Sequence, residues 1–119
     1  MSKLRIILRV KIHAGKPEEF KAVAAAFLSV VRERCPGTLE YEWFLSSDQT
    51  ECVVLQTYAS SEALLAHAEA HAQLLPQLLA VCDVLDIWLC GEPSAAVLER
   101  VAAFAPKPYA LLQGRDRES

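Results

Sequence analysis

Residues 3–13 follow a strict period of two. Leu4, Ile6, Leu8, Val10 and Ile12 alternate with Lys3, Arg5, Ile7, Arg9, Lys11 and His13. Only an extended strand sends every second side chain to the same face, so the chain opens with a strand that has one apolar face to bury. Gly15 breaks the pattern and the period changes. Pro17 suits a first helical turn, Glu18 and Glu19 complement the positive end of a helix dipole, and Phe20, Val23, Ala24, Phe27, Val30 and Val31 recur at helical spacing over 17–34.

Cys35-Pro36-Gly37 closes that helix. A second strand is expected over 38–45, with Leu39, Tyr41, Trp43 and Leu45 opposite Glu40, Glu42 and Phe44, and Ser46–Thr50 has the composition of a hairpin loop. The third strand, 51–58, is almost continuously apolar and belongs inside the sheet. Ser60 suits an N-cap for a helix running to about Leu75, where Pro76 interrupts it. A fourth strand over 83–90 sets Leu85, Ile87 and Leu89 against Val84, Asp86 and Trp88. The order βαββαβ predicts a ferredoxin-like α+β fold: an antiparallel sheet with both helices on one face. Residues 91–112 form an arm, with a helix near 94–104 and a short strand at 109–112, expected to pack on a partner subunit; 113–119 are expected to fray.

The 119 residues suit one domain, and 53% of them are hydrophobic, more than one small core needs. The sheet face carrying Arg5, Ile7, Arg9, Phe44, Asp86 and Trp88 has no helix to cover it. A homodimer joined sheet to sheet would bury it and let Arg9 meet Glu42 or Asp86. A net charge of −3 without a basic run argues against nucleic acid, and no apolar run reaches the ~18 residues of a membrane span. Charges interleaved through residues 3–11 leave no signal-peptide pattern, and Cys35, Cys52, Cys82 and Cys90 have no metal spacing. A cytoplasmic protein with reduced thiols is expected.

Three histidines bear on chemistry. His67 and His71 share a helical face, a spacing open to metal chelation, but Ala68 stands where HExxH requires glutamate. No metal is therefore expected. His67 lies where the second helix must face the sheet, so it is the candidate base, while His71 is a pocket or packing residue. Tyr41, Trp43 and Tyr58 either fill the core or wall a pocket for a flat aromatic molecule. No phosphate loop, dinucleotide fingerprint or nucleophile elbow is present.

The runs Pro36-Gly37-Thr38-Leu39-Glu40-Tyr41-Glu42, Leu55-Gln56-Thr57-Tyr58-Ala59-Ser60-Ser61-Glu62-Ala63-Leu64 and Ala66-His67 resemble the antibiotic biosynthesis monooxygenase family across about residues 3–90. The resemblance implies a dimeric α/β barrel, a pocket between sheet and helices in each subunit, and oxidation of a quinol or polycyclic phenol by O2 without cofactor. The family's helix histidine falls on His67 and its strand tyrosine on Tyr41, so His67 is the expected catalytic base, and with the residue-level reading Tyr41, Trp43, Tyr58 and His71 are expected to bind the substrate. Gln56 replaces an acid the family often carries, removing one proton acceptor. Leu8 or Arg9, His67 and Gln77 stand where the haem-degrading branch needs other residues. The alternative is a non-catalytic dimeric module holding an aromatic metabolite, since fold alone does not assign function.

Overall fold

The computed structural model describes residues 3–115. The chain runs β1 (Leu4–Ile12), α1 (Pro17–Arg34), β2 (Thr38–Leu45), β3 (Glu51–Tyr58), α2 (Ser61–His71), α3 (Leu75–Leu79), β4 (Cys82–Cys90), α4 (Ala95–Val101), a 3-10 turn (Ala102–Phe104) and β5 (Lys107–Tyr109). The sheet order is β2-β3-β1-β4-β5; every pairing is antiparallel except β4 with β5. This is the ferredoxin-like α+β fold expected from the period changes, extended by one parallel edge strand.

The helix boundaries follow local chemistry. Pro17 opens α1 with Glu18 and Glu19 in its first turn, and Arg32 and Arg34 sit in its last. The Ser60 hydroxyl accepts from the Ala63 amide and caps α2. The second helix ends earlier than expected, at His71, because Pro76 does not interrupt it but opens α3 from within its first turn.

Two strand readings need correction. Leu85 was expected to face the core with Ile87 and Leu89, yet it is exposed while Val84 packs inward. The ladder between β1 and β4 shifts at Arg9/Val10, pairing Arg9 with Asp86 and Val10 with Val84, so Leu85 is the extra residue and inward-facing parity changes across it. A similar shift between Thr38 and Glu40 leaves Leu39 exposed, and Leu45 at the far end of β2 is exposed as well.

The arm also departs from expectation, since it folds back on its own core. Val97 is completely buried and Val101 lies beside Leu4, Ile6, Tyr58, Leu64 and Leu89. The Ser94 hydroxyl caps α4, the Ser94 amide donates to the Ser61 hydroxyl of α2, and the strand forms at Lys107–Tyr109 rather than 109–112. Of the tail expected to fray, 116–119 lie outside the described residues.

A second apolar cluster, containing Val10, Phe20, Phe27, Val54, Leu78 and Val81, sits beneath α1 and α3. On the opposite sheet face Arg9 pairs with Asp86 and Glu51 of its own chain, at 2.7 and 3.0 Å. Phe44 and Leu85 stay exposed.

Candidate active site

Between the sheet and α2 lies a cavity of about 160 Å³, lined by residues of both apolar clusters. Its floor is the helix-facing side of the sheet: Ile6, Leu8, Tyr41, Trp43, Val54, Gln56, Tyr58 and Ile87. Pairing sets Tyr41 opposite Gln56 and Trp43 opposite Val54, so one sheet face presents aromatic and apolar surface together. His67, Ala68, His71 and Ala72 of α2 form the roof, and Arg100, Val101 and Phe104 close one side. All five site residues expected from the sequence therefore line one space. A larger shallow groove, about 310 Å³ between β4 and Ala103–Lys107, offers only Lys107 and Asp86 as charged groups, and Asp86 is already paired with Arg9.

The two histidines differ in what their nitrogens meet. His71 is buried; its Nδ1 lies 2.8 Å from the His67 carbonyl and its Nε2 lies 2.9 Å from the Phe27 carbonyl. Both nitrogens face backbone carbonyl oxygens, so His71 offers the cavity a ring face, stacked between Phe27 and His67 with centroids 5.0 and 4.1 Å away. His67 lies 2.9 Å from the Thr38 hydroxyl through Nδ1, and its Nε2 makes no hydrogen bond among the described residues. Burial, and secondarily the influence of His71, draws the His67 pKa down from 6.5 to about 3. His67 is a neutral imidazole with one open nitrogen: it is free to accept a proton, but burial makes it a weaker base than a solvated imidazole.

Both tyrosines remain protonated. Burial raises Tyr41 and Tyr58 well above the ordinary phenol range, and Tyr58 donates its hydroxyl proton to Gln56 Oε1. The Trp43 indole N–H lies close enough to the Tyr41 phenol to ease its titration slightly, but the pair misses hydrogen-bond geometry. The buried Trp43 Nε1 therefore has no hydrogen-bond partner among the described residues, a rare condition for a buried donor.

Cys35, His67 and His71 bring one ligand atom each within 4.8 Å of one another, which could hold a soft divalent ion. The fit is poor. Both His71 nitrogens face carbonyl oxygens, and burial pushes the Cys35 thiol away from the thiolate a metal needs.

Two contributors were not singled out by sequence: Thr38 orients His67, and Arg100 reaches the cavity edge from an arm assigned to a partner. Gln56, noted only as the replacement for an acid, accepts a hydrogen bond from the Tyr58 hydroxyl. Only the position of Thr38, directly after the Pro36-Gly37 turn and on the strand facing the second helix, carried a usable signal.

The crystal structure of MupZ from Pseudomonas fluorescens matches with a TM-score of 0.86 over 97% of this chain and 94% of its own, at 21% identity. SnoaB from Streptomyces nogalater, described as a cofactor-independent oxygenase, matches with a TM-score of 0.67 over 80% of this chain and 97% of its own, at 16% identity. A putative antibiotic biosynthesis monooxygenase from Caulobacter crescentus matches with a TM-score of 0.58 over 74% of this chain and 87% of its own, at 24% identity. No curated protein matches the sequence. Identities this low establish the fold alone. The family model for antibiotic biosynthesis monooxygenases matches residues 4–74, more than half of the sequence and the stretch that carries β1 through α2. The chain belongs to the antibiotic biosynthesis monooxygenase family.

Proposed function

We propose that this protein is a cofactor-independent monooxygenase that oxidises a phenol or hydroquinone with O2, using His67 as base. The observation that carries this reading is the open Nε2 of a neutral, buried His67 at the edge of an apolar cavity. The substrate hydroxyl gives its proton to Nε2. The resulting anion passes one electron to O2, leaving a substrate radical and superoxide, which combine to form a carbon–oxygen bond. The peroxide takes back the proton, its O–O bond breaks with loss of the hydrogen on that carbon, and water leaves. One oxygen atom ends in a new carbonyl and the other departs with two hydrogens.

In this scheme the protein supplies position, a base and dryness. Burial disfavours an isolated imidazolium, so protonated His67 is stabilised chiefly by the substrate anion beside it. Tyr41, Trp43, Tyr58 and the ring face of His71 bind the substrate, with both phenols remaining hydrogen-bond donors or acceptors rather than bases. A cavity of about 160 Å³ suits one aromatic ring, since an engineered cavity of about 150 Å³ takes benzene. A polycyclic substrate must extend through the rim. The description of SnoaB as a cofactor-independent oxygenase supports this assignment.

The same reading includes a homodimer joined through the exposed sheet face and action in the cytoplasm. Free cysteines and the absence, among the described residues, of any helix long and apolar enough to cross a membrane are consistent with it.

A second reading rests on the arm. The family model ends at residue 74, so the cavity wall carrying Arg100, Val101 and Phe104 lies outside it. A pocket completed in this way also suits a binding module, or proton transfer at His67 without O2. Labelled oxygen decides among them: with 18O2 and a hydroquinone, the oxygenase places one labelled atom in the product and is silent anaerobically. Anaerobic turnover, or saturable binding without turnover, contradicts the oxygenase.

A further inference from the structure

We infer that the ligand carries an anionic oxygen group, a carboxylate or phosphate, which Arg100 holds at the rim while the apolar body fills the cavity. This rests on the cavity being the ligand site and is independent of whether oxidation follows.

Among the described residues, Arg100 is the only formally charged side chain lining the cavity. It is exposed, and its sole hydrogen bond is a long one, 3.4 Å from Nη2 to the Ala68 carbonyl on α2. No acidic residue pairs with it among the described residues, although the chain carries 15 acidic and 12 basic side chains. Most of its five donors are therefore unused, in the planar array that matches a carboxylate or phosphate.

The helix that carries it is fixed by two independent attachments. Val97 and Val101 bury one face of α4 against the core, and the Ser94 amide holds the start of α4 on Ser61. An arginine held this way beside apolar surface can bind a charged end without reorganising the arm.

The test is a direct binding measurement, made calorimetrically and without turnover. Probes are 4-phenylbutanol, 4-phenylbutyrate and 4-phenylbutyl phosphate, each with one ring inside and a short chain to the rim. The charged probes are expected to bind roughly tenfold or more tighter than the alcohol, as for a hydrogen bond to a charged group. Arg100→Gln should erase that advantage and leave the alcohol unaffected. Whether carboxylate or phosphate gains more identifies the group. Equal affinity for alcohol and acids, or equal weakening of all three probes by Arg100→Gln, overturns the proposal. No binding of any probe contradicts the ligand pocket itself, whereas charge-selective binding of these probes, which carry no oxidisable phenol, supports the proposal whether or not hydroquinones are oxidised.

Discussion

The Thr38 hydroxyl lies 2.9 Å from Nδ1 of His67, tying the first residue of β2 to the middle of α2. When Nδ1–H donates to that oxygen, the lone pair sits on Nε2, the nitrogen without a partner. Thr38 is thus a positioning residue that aims the imidazole rather than one that touches the reacting atoms. Thr38→Val should lower kcat about tenfold with little change in KM, the scale of one lost hydrogen bond, and Thr38→Ser should restore it. Steady-state kinetics of the three proteins checks this; equal rates in Val and Ser variants would show that the hydroxyl does not matter.

Gly37 explains why a glycine stands just before that threonine. Its backbone is not left-handed; the constraint is proximity, because a Cβ there would sit 2.5 Å from the Ala63 Cβ. Gly37→Ala should force α2, with His67, away from the sheet and cost about 1–3 kcal/mol. Adding Ala63→Gly should recover most of the loss. Chemical denaturation of the single and double variants measures it, and simple additivity would contradict the contact.

His67 also predicts the acid behaviour. Its folded pKa of about 3 lies below its unfolded value of 6.5, so between these pH values the unfolded chain binds a proton that the folded one does not. This contribution is constant above about pH 6.5 and is lost as pH falls toward 3, by on the order of 1 kcal/mol per pH unit. Thermal melts from pH 4 to 7 should show a shallower slope in His67→Gln. For turnover, kcat/KM should show no inflection from His67 above about pH 5; a fall centred near 6.5 would contradict a buried neutral base.

The exposed sheet face gives a prediction about assembly. Phe44 remains 52% exposed and lies on the face opposite Trp43. If a second copy covers it, light scattering should give twice the chain mass, and Phe44→Glu should yield monomers by placing a charge in the contact. A native monomer at micromolar concentration would remove the dimer.

The sequence was most legible where burial imposes a period. The alternation of Leu4 through Ile12 and the helical spacing of Phe20 and Phe27 identify elements because each must turn one face inward. Leu85 was misread because a bulge belongs to a pair of strands, and nothing in Val84-Leu85-Asp86 alone reveals the shift opposite Arg9/Val10. The arm was misassigned for a related reason. The apolar face of Val97 and Val101 shows that something is covered, but not whether it belongs to the same chain. Within the site, His67 and His71 looked equivalent by spacing. What separates them is the Phe27 carbonyl, 44 residues away in sequence, which occupies His71 Nε2. Arg100 gave no signal because an arginine on a short helix is ordinary until its neighbours are known.

The central claim is that His67 Nε2 takes the substrate proton and that O2 then accepts the electrons. Oxygen uptake by metal-stripped protein, with simple and carboxylate-bearing hydroquinones and a His67→Ala control, tests it most directly. The account predicts uptake well above autoxidation that persists with EDTA and falls about 100-fold or more in His67→Ala, as expected when a general base is removed. Uptake no faster than autoxidation, or an unchanged rate in a folded His67→Ala protein, would contradict it.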